Sequence, residues 1–68
     1  MSRDFESEIV DMLRERELTV AFITRFLMER GFEVTRQKVE RTLRRLINMG
    51  IVEAKIGNNG RKHYRLAR

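Results

Sequence analysis

Residues 35–50, TRQKVERTLRRLINMG, constrain this chain more than any other stretch. Val39, Leu43, Leu46 and Ile47 fall at i, i+4, i+7 and i+8, a single apolar stripe of an α-helix. Thr35 can cap that helix, its hydroxyl accepting a free backbone N–H of the first turn. Gly50 stands where a helix stops in a left-handed conformation. At about 100° per residue, the face opposite the stripe is centred on Gln37, Arg41 and Arg44, with Lys38 and Arg45 at its margins. Gln37 to Arg44 covers roughly 10 Å of helix axis, a length that suits a DNA major groove about 12 Å wide. Glu40 lies between the two faces, within i±4 reach of Arg36 and Arg44. Taken alone, such a helix reads as a solvated basic face. What surrounds it changes that reading.

Beyond Gly50 the apolar period drops from 3.6 to 2. Val52, Ala54 and Ile56 alternate with Glu53 and Lys55, and Tyr64 and Leu66 alternate with His63 and Arg65. Gly57, Asn58, Asn59 and Gly60 form the turn between these two strands. A two-residue turn at Asn59 and Gly60 would set Ile56 opposite His63 and split the apolar face. A three-residue loop, Asn58 to Gly60 with Gly60 left-handed, sets Val52 opposite Leu66 and Ala54 opposite Tyr64. That register also pairs Glu53 with Arg65 across the strands. The three-residue loop is therefore expected, with Lys55, Arg61, Lys62 and His63 on the tip and outer face of the hairpin.

Two helices precede this unit. Phe5, Ile9, Met12 and Leu13, widened by Val10, mark a first helix over about 3–16, with Ser2 as its expected cap and Asp4, Glu6 and Glu8 early in it. The run Arg14-Glu15-Arg16-Glu17 reads as its solvated end. Thr19 caps a second helix over about 20–30, with Phe22, Ile23, Phe26 and Leu27 as its expected core stripe and Gly31 ending it. Residues 31–34 then join it to the helix at about 36–49. Two helices joined by so short a connection containing Gly make a helix-turn-helix. The fold class expected is α+β and mostly helical: three helices followed by a two-stranded hairpin over about 51–67, all one domain.

Charge sharpens the division. Residues 1–34 carry five arginines against eight acids, a net of −3, whereas residues 35–68 carry ten Lys and Arg against Glu40 and Glu53, a net of +8. The excess positive charge thus lies wholly in the third helix and the hairpin, an attractive face for a polyanion.

Three helices and a basic hairpin resemble the winged helix-turn-helix DNA-binding domain over nearly the whole chain. Residues 34–52, VTRQKVERTLRRLINMGIV, are similar to that family's recognition-helix signature: a Ser/Thr cap, then Leu-x-x-Leu/Ile-x-x-x-Gly-Ile/Leu-Val. Those places are held here by Thr35, Leu43, Leu46 or Ile47, Gly50, Ile51 and Val52. The resemblance implies a small transcription-regulator type of protein acting on double-stranded DNA, with the third helix in the major groove and the wing on backbone or minor groove. Carried onto this sequence, Thr35 and Gln37 become candidates for phosphate and base-edge contacts, and Arg41 and Arg44 for guanine. Arg36 stands with them on the helix. Lys38 and Arg45, with Lys55, Arg61, Lys62 and Arg65 of the hairpin, become phosphate contacts, and His63 a wing residue near phosphate. The wording around Val39 to Val52 also resembles the DNA-binding half of ferric uptake regulators. Their His, Cys and acidic ligands have no counterparts here, so no metal is expected.

Other functions are disfavoured. The single histidine, the absence of cysteine and the two serines at Ser2 and Ser7 leave no nucleophile with a general base beside it, and no ligand set has metal-site spacing. No enzyme activity, cofactor or small-molecule ligand is expected. No apolar run reaches the roughly 18 residues of a membrane span, and an intracellular, cytoplasmic setting is expected. The rival reading is a winged-helix module that binds protein within a larger nucleic-acid-processing assembly. A homodimer through Phe5, Ile9 and Met12 of helix 1 would help a single small reader with both affinity and stability.

Overall fold

The computed structural model of the chain describes residues 4–67. In order it forms α1 (Phe5–Glu15), β1 (Leu18–Thr19), α2 (Val20–Glu29), α3 (Arg36–Asn48), β2 (Val52–Ile56) and β3 (Lys62–Leu66). Each helix starts at a side chain that accepts a first-turn N–H. Thr19 and Thr35 do so for α2 and α3, accepting from Phe22 N–H at 3.4 Å and Lys38 N–H at 3.1 Å. Asp4 caps α1, its Oδ1 accepting from Ser7 N–H at 3.0 Å. The expected cap, Ser2, lies outside the described residues. Hydrogen bonds from Ser7 stabilise the charged form of Asp4 and hold its carboxyl below the usual carboxylate range.

The ends of α2 and α3 share one device. At the end of α3, Gly50 N–H bonds Ile47 C=O at 2.9 Å and Ile51 N–H reaches back to Leu46 C=O at 3.0 Å. This double closure needs a left-handed residue after the cap, and Gly50 sits at φ 78°. Gly31 and Phe32 close α2 in the same way on Met28 and Leu27. Two abrupt helix stops thus fix both the turn into α3 and the exit into β2.

The core lies between the three helices and one face of the sheet. Ile9, Ile23, Leu27, Val39, Leu43, Leu46 and Val52 are essentially sealed from solvent, and Met12, Leu13, Leu18, Val20, Val34 and Tyr64 complete it. Thr24 and Thr42 are buried too, each hydroxyl donating to the backbone carbonyl four residues earlier, at 2.8 and 3.0 Å. Two expectations fail here. Phe22 is 49% exposed, because the apolar stripe of α2 is wider than the surface its neighbours cover; its ring leans on Phe26 at 6.0 Å instead. Ile9 and Met12 are enclosed within the monomer and Phe5 is half-buried, so the face proposed for dimerisation is spent on the core.

The hairpin has the expected register. Val52 faces Leu66, Glu53 faces Arg65 and Ala54 faces Tyr64, with Gly60 left-handed at φ 78°. A third strand joins it: Leu18 and Thr19 pair antiparallel with Tyr64 and His63, making a sheet of order β1-β3-β2. Two residues are too few to show a period, so the pattern gave no sign of this strand. The expected apolar face is only half used. Val52 and Tyr64 enter the core, whereas Ala54 is exposed and Ile56 is 62% exposed, because the hairpin runs past the helices. Among the described residues, no helix is long and apolar enough to cross a membrane.

Candidate nucleic-acid interface

The exposed side of α3 divides into a central row and two flanks. Toward α1, Lys38 places its ammonium 5.1 Å from the centre of the Phe5 ring, and Arg45 forms an ion pair with Glu6. Toward the hairpin, Arg36 Nε lies 3.9 Å from Glu40, four residues on along the helix. The buried ring of Tyr64 approaches the same flank. Its hydroxyl titrates above the usual value, mainly through burial and secondarily through the charge of Glu40, with Arg44 and Arg36 opposing. Between the flanks stand Gln37, Arg41 and Arg44, all exposed, and none makes an ion pair among the described residues. Thr35 is exposed at the head of the helix, with its hydroxyl already used as a cap.

The hairpin cations are not equivalent. Arg65 Nε donates to Glu53 at 2.5 Å and its guanidinium also meets Glu17 at 3.6 Å, so it ties both strands to the α1–β1 link. The hydrogen bond and charge of Glu53, with Glu17 adding a smaller contribution, raise the Arg65 pKa. Arg65 is thus engaged within the fold. Pairing parity separates the others: Lys55 and His63 share the outer face with Glu53 and Arg65, whereas Lys62 lies opposite Ile56 on the face of Tyr64. Of the four residues expected on the tip and outer face, Lys62 therefore lies at the tip end of the hairpin and off its outer face. His63 is half-buried, and its ring lies so close to Gly57 that a Cβ there would meet it at 2.9 Å. At the tip, Asn59 accepts from Arg61 N–H at 2.9 Å, leaving the Arg61 side chain exposed.

The molecule therefore offers an uncommitted row on α3, Gln37, Arg41 and Arg44, and a second set on the hairpin, Lys55, Arg61 and Lys62. The pairing of Arg45 with Glu6 and of Arg65 with Glu17 depends on acids far away in sequence, which composition cannot reveal. The described residues contain no group of three or more His, Cys, Asp or Glu placed to hold a metal ion.

No protein-family model matches the chain, and no curated protein matches it significantly. Solved structures do. PadR of Bacillus subtilis, crystallised with operator DNA, superposes with a TM-score of 0.81 at 21% identity over 96% of this chain. The fold is a winged helix-turn-helix. The match spans 41% of the PadR chain, so the winged helix corresponds to less than half of that regulator. Dissimilatory sulfite reductase D, known from a neutron crystal structure, has a TM-score of 0.74 at 17% identity, over 97% of this chain and 94% of its own. In winged-helix terms α2 and α3 are the helix-turn-helix, and β2 with β3 the wing.

Proposed function

We propose that this winged helix binds double-stranded DNA and acts as a transcriptional regulator inside the cell, with α3 in the major groove and the wing on backbone or minor groove. The observation that carries this reading is the uncommitted row on α3. Its neighbours Lys38 and Arg45 are held by α1, yet Gln37, Arg41 and Arg44 have no ion-pair partner among the described residues and stand at i, i+4 and i+7. Arg41 and Arg44 can each grip guanine bidentately at O6 and N7. Lys55, Arg61 and Lys62 supply phosphate contacts, which set position and affinity rather than sequence. The PadR likeness, to a protein crystallised on its operator, supports the same reading.

The test is binding to random and selected duplexes across a range of salt. A log K falling linearly with log salt, with selected sites at least about a thousandfold tighter than random ones, is the expected result for a specific regulator. The same slope without discrimination points to an architectural binder. Absence of binding at low salt removes the proposal. A two-fold dimer on a palindromic site belongs to the same reading, with an interface other than Ile9 and Met12, and sedimentation of the complex measures it.

A second reading has its own support. The neighbour that matches along nearly its whole length is named for a sulfite reductase rather than for a DNA site. A protein-binding module would use the same basic face on an acidic partner, and it would show no retardation of duplex DNA.

A further inference from the structure

We infer that Glu40 reads sequence on the proposed DNA face, selecting a cytosine through its exocyclic amino group; this rests on the DNA-binding reading above. Gln37, Glu40, Arg41 and Arg44 stand at i, i+3, i+4 and i+7, the spacing at which a recognition helix presents base-reading side chains. Three of the four are donors able to meet the acceptors of guanine or adenine. Glu40 is the one acid on the exposed side of α3, and its side chain is 49% exposed.

The acid is out of place on electrostatic grounds alone. The half of the chain that begins at Thr35 carries only two acids, and the other, Glu53, is fixed in the sheet by Arg65. Glu40 is held loosely, 3.9 Å from Arg36 Nε, in an exposed pair that contributes little to stability. Against phosphates it weakens binding to every sequence. What a carboxylate offers in a major groove is an acceptor for the amino group of cytosine, while it is repelled by the O6 and N7 of guanine, by the O4 of thymine and by the N7 that stands beside the amino group of adenine. Arg36 and Arg44, one turn to either side, can neutralise the carboxylate as it enters the groove. Glu40 therefore works by rejection as much as by attraction, admitting the helix only where a donor waits.

The experiment uses selected duplexes bound by the wild-type chain, by Glu40→Gln and by Arg36→Gln. In the wild type, one cytosine of the selected site is expected to be essential, its replacement by thymine weakening binding about tenfold or more. Glu40→Gln is expected to lose that discrimination and to bind random duplex more tightly. Arg36→Gln breaks the ion pair but leaves the acid, and is expected to keep the preference. If Glu40→Gln retains the wild-type preference at every position, the inference is overturned while the DNA-binding function stands. If Arg36→Gln loses the preference as fully as Glu40→Gln, the carboxylate serves only to position Arg36, and the inference is likewise overturned. Failure of the wild type to bind any duplex at low salt removes the underlying reading and this inference with it.

Discussion

Replacing Gly50 by alanine isolates the cost of one backbone conformation. Gly50 sits at φ 78°, and a Cβ added there would meet nothing within 4 Å. No clash contributes, so the penalty is the strain of holding an L-residue left-handed, about 1–2 kcal/mol. A chain of 68 residues has a total stability of roughly 3–10 kcal/mol at the usual value per residue. One substitution at an exposed site, removing no contact, therefore takes a sizeable share. For a domain this small each kcal/mol moves Tm by about 4–8 °C, so Gly50→Ala should melt roughly 4–16 °C below the wild type. Thermal unfolding followed by circular dichroism at 222 nm measures the shift, with urea unfolding as the check that the m-value is unchanged. Gly50→Asn should lie between the two, since asparagine tolerates this region better. A Gly50→Ala protein as stable as the wild type would refute the argument that the left-handed closure of α3 sets the exit into β2.

Three further outcomes follow from charge. The Asp4 carboxyl is held below its ordinary value of 3.8 in the folded chain by hydrogen bonds from Ser7, so its contribution is present above the unfolded value and is lost as pH falls through the folded one. Asp4→Ala should therefore be less stable than the wild type at pH 7, with the gap closing below pH 3.8; a gap that persists in acid would mean that the cap acts through something other than its charge. On the wing, Lys62→Gln should lower the salt slope of DNA binding by about one phosphate contact, whereas Arg65→Gln should leave that slope unchanged and lower thermal stability, because Arg65 is bound to Glu53 and Glu17.

Much of the fold was legible because its signals are local. Thr19 and Thr35 cap by hydroxyl chemistry confined to three residues, and Gly31 and Gly50 stop helices by a conformation that other residues resist. The hairpin register followed from parity and the Asn58-Asn59-Gly60 loop, and with it the Glu53–Arg65 pair. What escaped depends on where the core ends. Alternation names the face on which Ala54 and Ile56 lie, but not how far the helices extend beneath it, and the wide stripe of α2 did not reveal that Phe22 would stay outside. The candidate site was legible as a set of cations and not as a division among them. Arg45 is occupied by Glu6 and Arg65 by Glu17, across distances in sequence that only tertiary packing closes. Arg41 and Arg44 stand out by contrast with these committed neighbours.

The pairing of Leu18 with Tyr64 also bears on how the chain reaches its folded form. Helices and the hairpin need only neighbouring residues, and such local units form within microseconds. The strand between α1 and α2 must instead wait for the final strand, closing a loop of most of the chain at an entropic cost of roughly 3 kcal/mol. That closure brings together the two ends of the folding problem, and in the folded chain it sets Arg65 beside Glu17. The wing is consequently no independent appendage. Loosening its base should slow folding and weaken the packing of α1 and α2 together, so that the helices and the sheet are gained and lost as one cooperative unit.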